Sequence, residues 1–283
     1  MTHTVHDDTN CLLGEGPMWH PERAELFWFD ILARRLHRKG QHWDFDCHAS
    51  AAGWVDNDRL VIATARDFRL FDITTGQSET LCPLEADNPA TRSNDGRVDP
   101  WGGFRIGTMG IRAGEKAGAI YRFYKGELRV LYPGISIPNS ICFAPDGSFA
   151  YWTDTFTGII MRQRLRAADG WPEGDPDLHI DLRGTEYNPD GSVVDAAGNL
   201  WNAQWGAGRV AVYGPDGAFK AAHSLPASQT TCPAFGGENL SVMYCTSAAC
   251  GLTQEHLADH PATGRTFAVQ TDTTGQKEHR VIL

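Results

Sequence analysis

The sequence predicts an all-β fold, a six-bladed β-propeller with four-stranded antiparallel blades around a central channel. The first observation is that short runs of β-branched and aromatic residues recur along the 283 residues, separated by turn-forming Pro-Asp-Gly and Ala-Gly-Asn segments. The second is that no long amphipathic helical pattern interrupts these runs. Residues 252–260 favour at most one or two helical turns.

An internal repeat indicates that the predicted all-β fold is a propeller. The repeated unit is a turn, an aromatic-rich strand, a short polar loop and a second strand. Six copies begin near Ala24, Arg59, Gly103, Ser148, Asn199 and, in degenerate form, Leu240. Their spacing of roughly 40–50 residues is the period of a four-stranded propeller blade. A β-sandwich of short strands would explain the alternating pattern but not the repeat.

The domain organisation follows from length and composition. Length alone suggests about two domains of roughly 150 residues, but closed all-β folds often use a chain of this size as one domain. The composition is 41% hydrophobic, and no Pro/Ser-rich linker divides the chain. We therefore expect residues 1–283 to form a single propeller domain.

The net charge of the chain argues against two classes of binding partner. A formal net charge of -10 repels phosphate backbones and anionic lipid, which argues against nucleic-acid and membrane binding. The opening residues carry no basic segment followed by an apolar one, so no signal peptide is expected. No apolar run approaches the roughly 18 residues needed to span a bilayer. A cytoplasmic location is therefore expected.

The sequence lacks the signatures of several classes of enzyme and metal site. The seven cysteines are scattered without a C-x-x-C pair, which favours reduced, buried thiols over disulfides or a zinc knuckle. The chain has no H-E-x-x-H pair typical of a zincin and no G-x-S-x-G nucleophile elbow. No G-x-G-x-x-G follows a predicted strand, which argues against a dinucleotide enzyme.

Three oxygen-bearing residues stand out because each lies in a Gly/Pro-rich turn near the start of a blade. They are Glu15, Asn139 and Asp190, and residues 91–96 add Arg92 and Asn94. Carboxylate and amide oxygens suit Ca²⁺ or Mg²⁺ and tolerate Mn²⁺ or Zn²⁺. Taken singly, each segment is also an ordinary turn pattern. In a propeller, however, loops spaced one blade apart converge at one end of the channel.

Five short motifs occur together and in order. They are LGEGPMW at 13–19, RSNDGRVDP at 92–100, GTM at 107–109, IPN at 137–139 with YWTD at 151–154, and PDG at 189–191 with NLW at 199–201. Together they resemble the SMP-30/gluconolactonase/LRE family of lactonases, also called the regucalcin family. The resemblance implies a six-bladed propeller holding one divalent metal ion, with Glu15, Asn139 and Asp190 as ligands. It also implies that Arg92 and Asn94 contact the substrate.

The resulting prediction is metal-dependent hydrolysis of a sugar (aldono-)lactone to the sugar acid, in bacterial pentose or hexose oxidation. Asp190 is a candidate general base as well as a ligand. Gly110 and Ile111 depart from the family pattern, in which some members have acidic residues after GTM. The partner would be a small-molecule lactone, and the chain a monomer or weak homo-oligomer.

Two alternatives stay open. A promiscuous metal-dependent esterase or organophosphate hydrolase would share the metal site but have an apolar pocket, whereas Arg92 and Asn94 favour a polar one. A non-catalytic calcium-binding propeller would have its ion enclosed by protein ligands.

The remaining conspicuous residues have structural interpretations. Asp154 is expected to hydrogen-bond within its blade, and Asp99 and Asp195, which lie beyond the turns of their motifs, are expected to be structural. Of the nine tryptophans, Trp28, Trp152 and Trp201 occupy equivalent strand positions and are expected in the core. A further three follow the site motifs and are candidates for the channel mouth, although core packing is expected for at least two of them: Trp19, Trp101 and Trp205.

Overall fold

The computed structural model describes residues 2–283 and contains six four-stranded antiparallel sheets. The first strands of neighbouring sheets contact one another in sequence around a ring, so they line a central channel. The sheets are the blades of a six-bladed β-propeller, as the repeat predicted. Radial repetition of this kind leaves only short sheet edges exposed.

Five blades are each formed by four consecutive strands, ordered from the channel outwards. Blade 1 comprises β2 (Gly14–His20), β3 (Glu25–Asp30), β4 (Arg35–Arg38) and β5 (Gln41–Asp44). Blade 2 comprises β6 (Ala49–Asp56), β7 (Arg59–Thr64), β8 (Asp67–Asp72) and β9 (Ser78–Pro83). Blade 3 comprises β10 (Thr91–Val98), β11 (Phe104–Gly110), β12 (Gly118–Tyr124) and β13 (Glu127–Ile135). Blade 4 comprises β14 (Pro138–Phe143), β15 (Phe149–Asp154), β16 (Ile159–Arg164) and β17 (Asp177–Asp181). Blade 5 comprises β18 (Asn188–Val194), β19 (Leu200–Trp205), β20 (Arg209–Tyr213) and β21 (Phe219–Ser224).

The sixth blade closes the ring with strands from both ends of the chain. Its inner strands are β22 (Thr230–Gly236), β23 (Val242–Ser247) and β24 (Thr266–Gln270), and the amino-terminal β1 (His3–Asp7) pairs with β24 at the outside. This shared composition explains why the copy near Leu240 looked degenerate in the sequence.

The innermost strands were not predicted as strands. The six repeat starts coincide with the second strand of each blade, from β3 to β23. The candidate residues, which the sequence placed in turns, instead lie in the innermost strands β2, β10, β14 and β18. Gly and Pro made these segments resemble turns. Because they are buried, they also lack the alternating pattern of a half-exposed strand.

The core lies between neighbouring blades. Between blades 2 and 3, Phe68 is stacked on Phe123 with ring centroids 5.0 Å apart and meets Phe104 edge-on at 5.5 Å. All three rings are buried. Trp28 and Trp201 are buried as expected, but Trp152 is only partly buried and stacks on Tyr132.

The chain has little helix. A 3₁₀ turn spans Thr155–Thr157, and α1 spans Gln254–Asp259, within the region where one or two helical turns were expected. With six residues, α1 falls far short of the roughly 20 that a membrane-spanning helix needs, and no other helix of residues 2–283 could span a bilayer. All seven cysteines are free, and four of them are buried.

Candidate functional site

A cavity of about 360 Å³ opens at the amino-terminal ends of the innermost strands. All five candidate residues line it: Glu15, Arg92, Asn94, Asn139 and Asp190. Each of these side chains belongs to a residue no more than 7% exposed, so they form the floor of the cavity. The volume falls within the roughly 300–1,000 Å³ of small-molecule sites.

The innermost strands share one irregularity that aims these side chains. In each of them the pairing with the second strand shifts register near its amino-terminal end, as at Glu15/Met18, Asn139/Cys142 and Pro189/Ser192. Such bulges turn a side chain out of the alternating pattern of the sheet and are common beside active sites. Glu15 and Asn139 are the last paired residues before the shift, and Asn94 and Asp190 are the first unpaired ones. All four therefore lie at the irregular end of an innermost strand and line the cavity.

Two buried aspartates fix the chain where it enters the strands that carry Glu15 and Asn139. Asp30 accepts hydrogen bonds from the backbone N–H groups of Leu12 and Leu13, at 2.7 and 3.1 Å. Asp154 does the same for Ser136 and Ile137, at 2.8 and 3.0 Å. The expectation that Asp154 hydrogen-bonds within its own blade is thus confirmed. It holds the approach to Asn139 in place.

A chain of hydrogen bonds crosses the floor from blade 3 to blade 5. Arg92 Nη1 donates to Asn94 Oδ1 at 2.7 Å, and Asn94 Nδ2 donates to Asn139 Oδ1 at 2.9 Å and to Pro138 O at 3.0 Å. Asn139 Nδ2 then donates to Thr155 Oγ1 at 2.9 Å, and that hydroxyl donates to Pro189 O at 2.7 Å.

The direction of these hydrogen bonds decides which side-chain atoms remain available to a ligand. Both N–H groups of Asn94 are used within the protein, so Asn94 is not a free donor toward a bound ligand. Asn139 Oδ1 keeps one uncommitted lone pair, because a carbonyl oxygen can accept twice. The hydrogen bonds of the Arg92 guanidinium to other protein groups both come from Nη1. Its Nε and Nη2 make none with residues 2–283.

The backbone of Asp190 is held from two sides. Its carbonyl oxygen accepts from Ser140 Oγ at 2.6 Å and from Asn202 Nδ2 at 3.1 Å. Ser140 follows Asn139 directly and has φ 58°, a left-handed conformation unusual for a residue other than glycine. This strain at the bulge brings the Ser140 hydroxyl to the neighbouring blade.

The floor holds more buried negative charge than its own cations balance. Burial raises the pKa of Glu15, and the nearby Asp95 carboxylate raises it further. Burial, with the charge of Glu15, likewise raises the pKa of Asp190 well above its ordinary value. Burial lowers the pKa of Arg92 to about 10, against the charge of Glu15, which raises it. Two carboxylates sharing a buried site need a counter-charge to stay ionised together.

The donor set fits a divalent cation. Glu15 and Asp190 supply carboxylate oxygens, and Asn139 supplies an amide oxygen already oriented by Asn94 and Thr155. These are the oxygen ligands that Ca²⁺, Mg²⁺ and Mn²⁺ prefer. Among residues 2–283 no three His, Cys, Asp or Glu side chains form a metal cluster, so a site here depends on the amide.

The sequence missed some residues that shape the site. Thr155, Ser140 and Asn202 hold the candidate ligands but carry no motif of their own. Thr155 could have been suspected because it directly follows YWTD in the chain. Of the tryptophans proposed for the mouth, only Trp205 lines the cavity, whereas Trp19 and Trp101 pack into hydrophobic clusters, as expected for two of the three.

Comparison with known proteins shows the family of the chain. The pattern of the SMP-30/gluconolactonase/LRE-like region matches residues 13–249. The chain belongs to this family. All five floor residues fall within the matched SMP-30/gluconolactonase/LRE-like region.

Relatives in the SMP-30/gluconolactonase/LRE-like family cover almost the whole chain. An L-arabinolactonase of Azospirillum brasilense is 35% identical over 98% of this chain and 94% of its own length. A 6-deoxy-6-sulfogluconolactonase of Pseudomonas putida is 34% identical over 94% of each chain. A solved structure of a calcium-binding protein, regucalcin, from Agrobacterium tumefaciens has a TM-score of 0.97 and 40% identity over 99% of this chain and 97% of that one.

Proposed function

We propose that this protein hydrolyses a sugar lactone to the sugar acid with one divalent metal ion. The observation that carries the proposal is the convergence of Glu15, Asn139 and Asp190 from three blades on one buried cavity floor. The names of the relatives, which include an arabinolactonase and a sulfogluconolactonase, support lactone hydrolysis. A role in bacterial pentose or hexose oxidation and a cytoplasmic location remain predictions.

The cation would be held by Glu15, Asn139 and Asp190. When bound, it would polarise the lactone carbonyl oxygen and make nearby water more acidic. With only three protein ligands, the ion would keep coordination positions open, which favours a catalytic site over the enclosed site of a purely structural ion.

The chain's own groups would bind and orient the lactone. The free Nε and Nη2 of Arg92 offer a planar pair of charged donors for a carbonyl or hydroxyl oxygen. Asn94 has no free N–H, so it acts by orienting Asn139, with one Oδ1 lone pair left for a substrate hydroxyl. Asp190 would accept the proton of the attacking water and pass it to the ring oxygen, which leaves as a hydroxyl when the acyl C–O bond breaks.

One observation favours the alternative of a broader esterase. Most of the cavity wall above the floor is apolar, including Leu13, Met109 and Ile137. The sequence had favoured a polar pocket from Arg92 and Asn94, and the structure confines those groups to the floor. A promiscuous ester hydrolase therefore remains the second candidate.

The test is acid release from a panel of pentono- and hexono-lactones, with phenyl acetate as a simple ester. EDTA-treated protein would be assayed alone and with Mg²⁺, Ca²⁺, Mn²⁺ or Zn²⁺. We expect lactone hydrolysis well above the spontaneous rate only when a metal is added. Hydrolysis of phenyl acetate alone would favour the esterase, and metal-independent lactone hydrolysis would refute the proposed site.

A further inference from the structure

The open end of the cavity is lined by apolar side chains. Leu32 follows β3, and Ile111 and Ala113 follow β11, so two blades contribute. Leu32 is 38% exposed and Ile111 is 43% exposed, whereas the floor residues are buried. These two side chains therefore stand at the mouth. The intervening Arg112 is exposed and does not line the cavity.

Most of the hydrogen-bonding groups of the cavity lie on the floor. Among the lining side chains above it, Thr155 uses its hydroxyl to donate to Pro189 O and to accept from Asn139. Trp205 presents a half-buried indole with one N–H donor, Cys250 is a half-buried thiol, and Met109 is a buried thioether. A ligand that places its carbonyl near Arg92 must direct its far end past these groups toward Leu32 and Ile111.

A fully hydroxylated lactone fits poorly into a cavity with a polar floor and an apolar mouth. Its terminal hydroxymethyl group would meet Leu32 and Ile111, which offer no hydrogen bond, and would lose part of its hydration there. A terminal methyl group would instead bury apolar surface against the same side chains. The wall thus favours a ligand that is polar at the lactone carbonyl and apolar at the opposite end.

We propose that the substrate is a terminally deoxygenated sugar lactone, whose methyl group packs against Leu32 and Ile111. This inference rests on the proposed function and specifies its substrate class. When two substrates differ by one group that enters an apolar pocket, their kcat/KM values differ by roughly 10-fold or more. The expected preference for the deoxy lactone in kcat/KM is therefore about 10-fold.

The experiment compares L-mannono-γ-lactone with its terminally deoxygenated counterpart, L-rhamnono-γ-lactone, with added Mn²⁺. In parallel, calorimetry measures binding of the two matching γ-lactams, which resist hydrolysis. We expect the deoxy compound to be favoured in both measurements. Replacement of Ile111 by Gln, and separately of Leu32 by Gln, should remove the preference. Val130→Gln is the control, because Val130 is exposed on the outermost strand of blade 3.

The outcomes distinguish failure of the substrate-class inference from failure of the proposed lactone hydrolysis. Equal or stronger binding and turnover of the hydroxylated pair would overturn the inference while leaving lactone hydrolysis intact. Loss of the preference in Val130→Gln as well as in Ile111→Gln would also overturn it. If neither these two lactones nor any lactone of the panel is hydrolysed, the proposed function fails, and the lactam binding ratio still decides whether the mouth selects a methyl group.

Discussion

At the scale of single residues, the orientation of one amide organises the candidate metal site. Asn139 could face the cavity with either its oxygen or its nitrogen. Asn94 Nδ2 donates to its oxygen, and its own nitrogen donates to Thr155. Both contacts select the orientation in which Oδ1 can serve as a metal ligand. Neighbours that orient ligands in this way contribute to metal affinity without touching the ion.

Thr155 can therefore be tested as a positioning residue. Thr155→Val keeps the shape of the side chain but removes the acceptor for Asn139 Nδ2, so we expect Mn²⁺ affinity measured by calorimetry to fall about 10–100-fold. Thr155→Ser should retain most of the affinity because it keeps the hydroxyl. Thermal unfolding in EDTA controls for folding. Unchanged Mn²⁺ affinity in Thr155→Val, beside a wild type that binds Mn²⁺, would remove Thr155 from this role.

Substitutions at Asp190 and at Arg92 should distinguish loss of metal binding from loss of substrate binding. Asp190→Ala removes a proposed ligand and proton acceptor, and we expect bound metal to be lost and kcat to fall about 100-fold or more. Arg92→Ala should retain the metal while KM rises about 10-fold, since a charged hydrogen bond to the lactone is removed. Metal content measured by atomic emission, with steady-state kinetics, checks both. Metal loss in Arg92→Ala would show that its role was misassigned.

At the scale of elements, the sequence singled out the candidate residues that line the cavity but not the strands that carry them. Motif order placed Glu15, Asn139 and Asp190 together through the blade repeat. Their position in bulged innermost strands was missed, since Gly16 and the Pro residues before Asn139 and Asp190 are as typical of turns as of bulges. A bulge depends on the partner strand, which local sequence does not specify.

The link between β14 and β18 gives a test at this scale. Ser140→Ala removes the hydroxyl that donates to Asp190 O and leaves Ser192 Oγ without its acceptor. Buried groups left without partners cost about 1–3 kcal/mol, so we expect the free energy of unfolding to fall by that amount. Urea denaturation measures it. Ser78→Ala, on the exposed outer strand β9, is the matched control, and equal effects in the two variants would contradict the account.

At the scale of the whole molecule, the two ends of the channel differ. The site lies at the amino-terminal ends of the innermost strands, and the carboxyl-terminal segment covers the other end. Gln276 Nε2 donates to Phe143 O and Val194 O, and Glu278 forms an ion pair with Arg97 inside the channel. Sequence periodicity predicted the blades but not this segment, which belongs to no repeat. The prediction of one domain over residues 1–283, like that of a monomer or weak homo-oligomer, stays a prediction.

The ion pair that anchors this segment should stabilise the ring. The Arg97 and Glu278 side chains are only 12% and 9% exposed, so Glu278→Ala leaves a buried guanidinium without its partner. We expect the free energy of unfolding to fall by about 3–5 kcal/mol in urea denaturation. Glu127→Ala, which breaks an exposed pair with Arg129, should change stability little. Comparable losses in both variants would contradict an anchoring role.

The central claim is that three blades build one metal site from Glu15, Asn139 and Asp190. Its most direct test is a crystal structure of the protein grown with Mn²⁺, using anomalous scattering to locate the ion. The account predicts one strong peak on the cavity floor, with an oxygen of each of the three side chains within about 2.0–2.6 Å. A peak elsewhere, or none on the floor at saturating Mn²⁺, would contradict it.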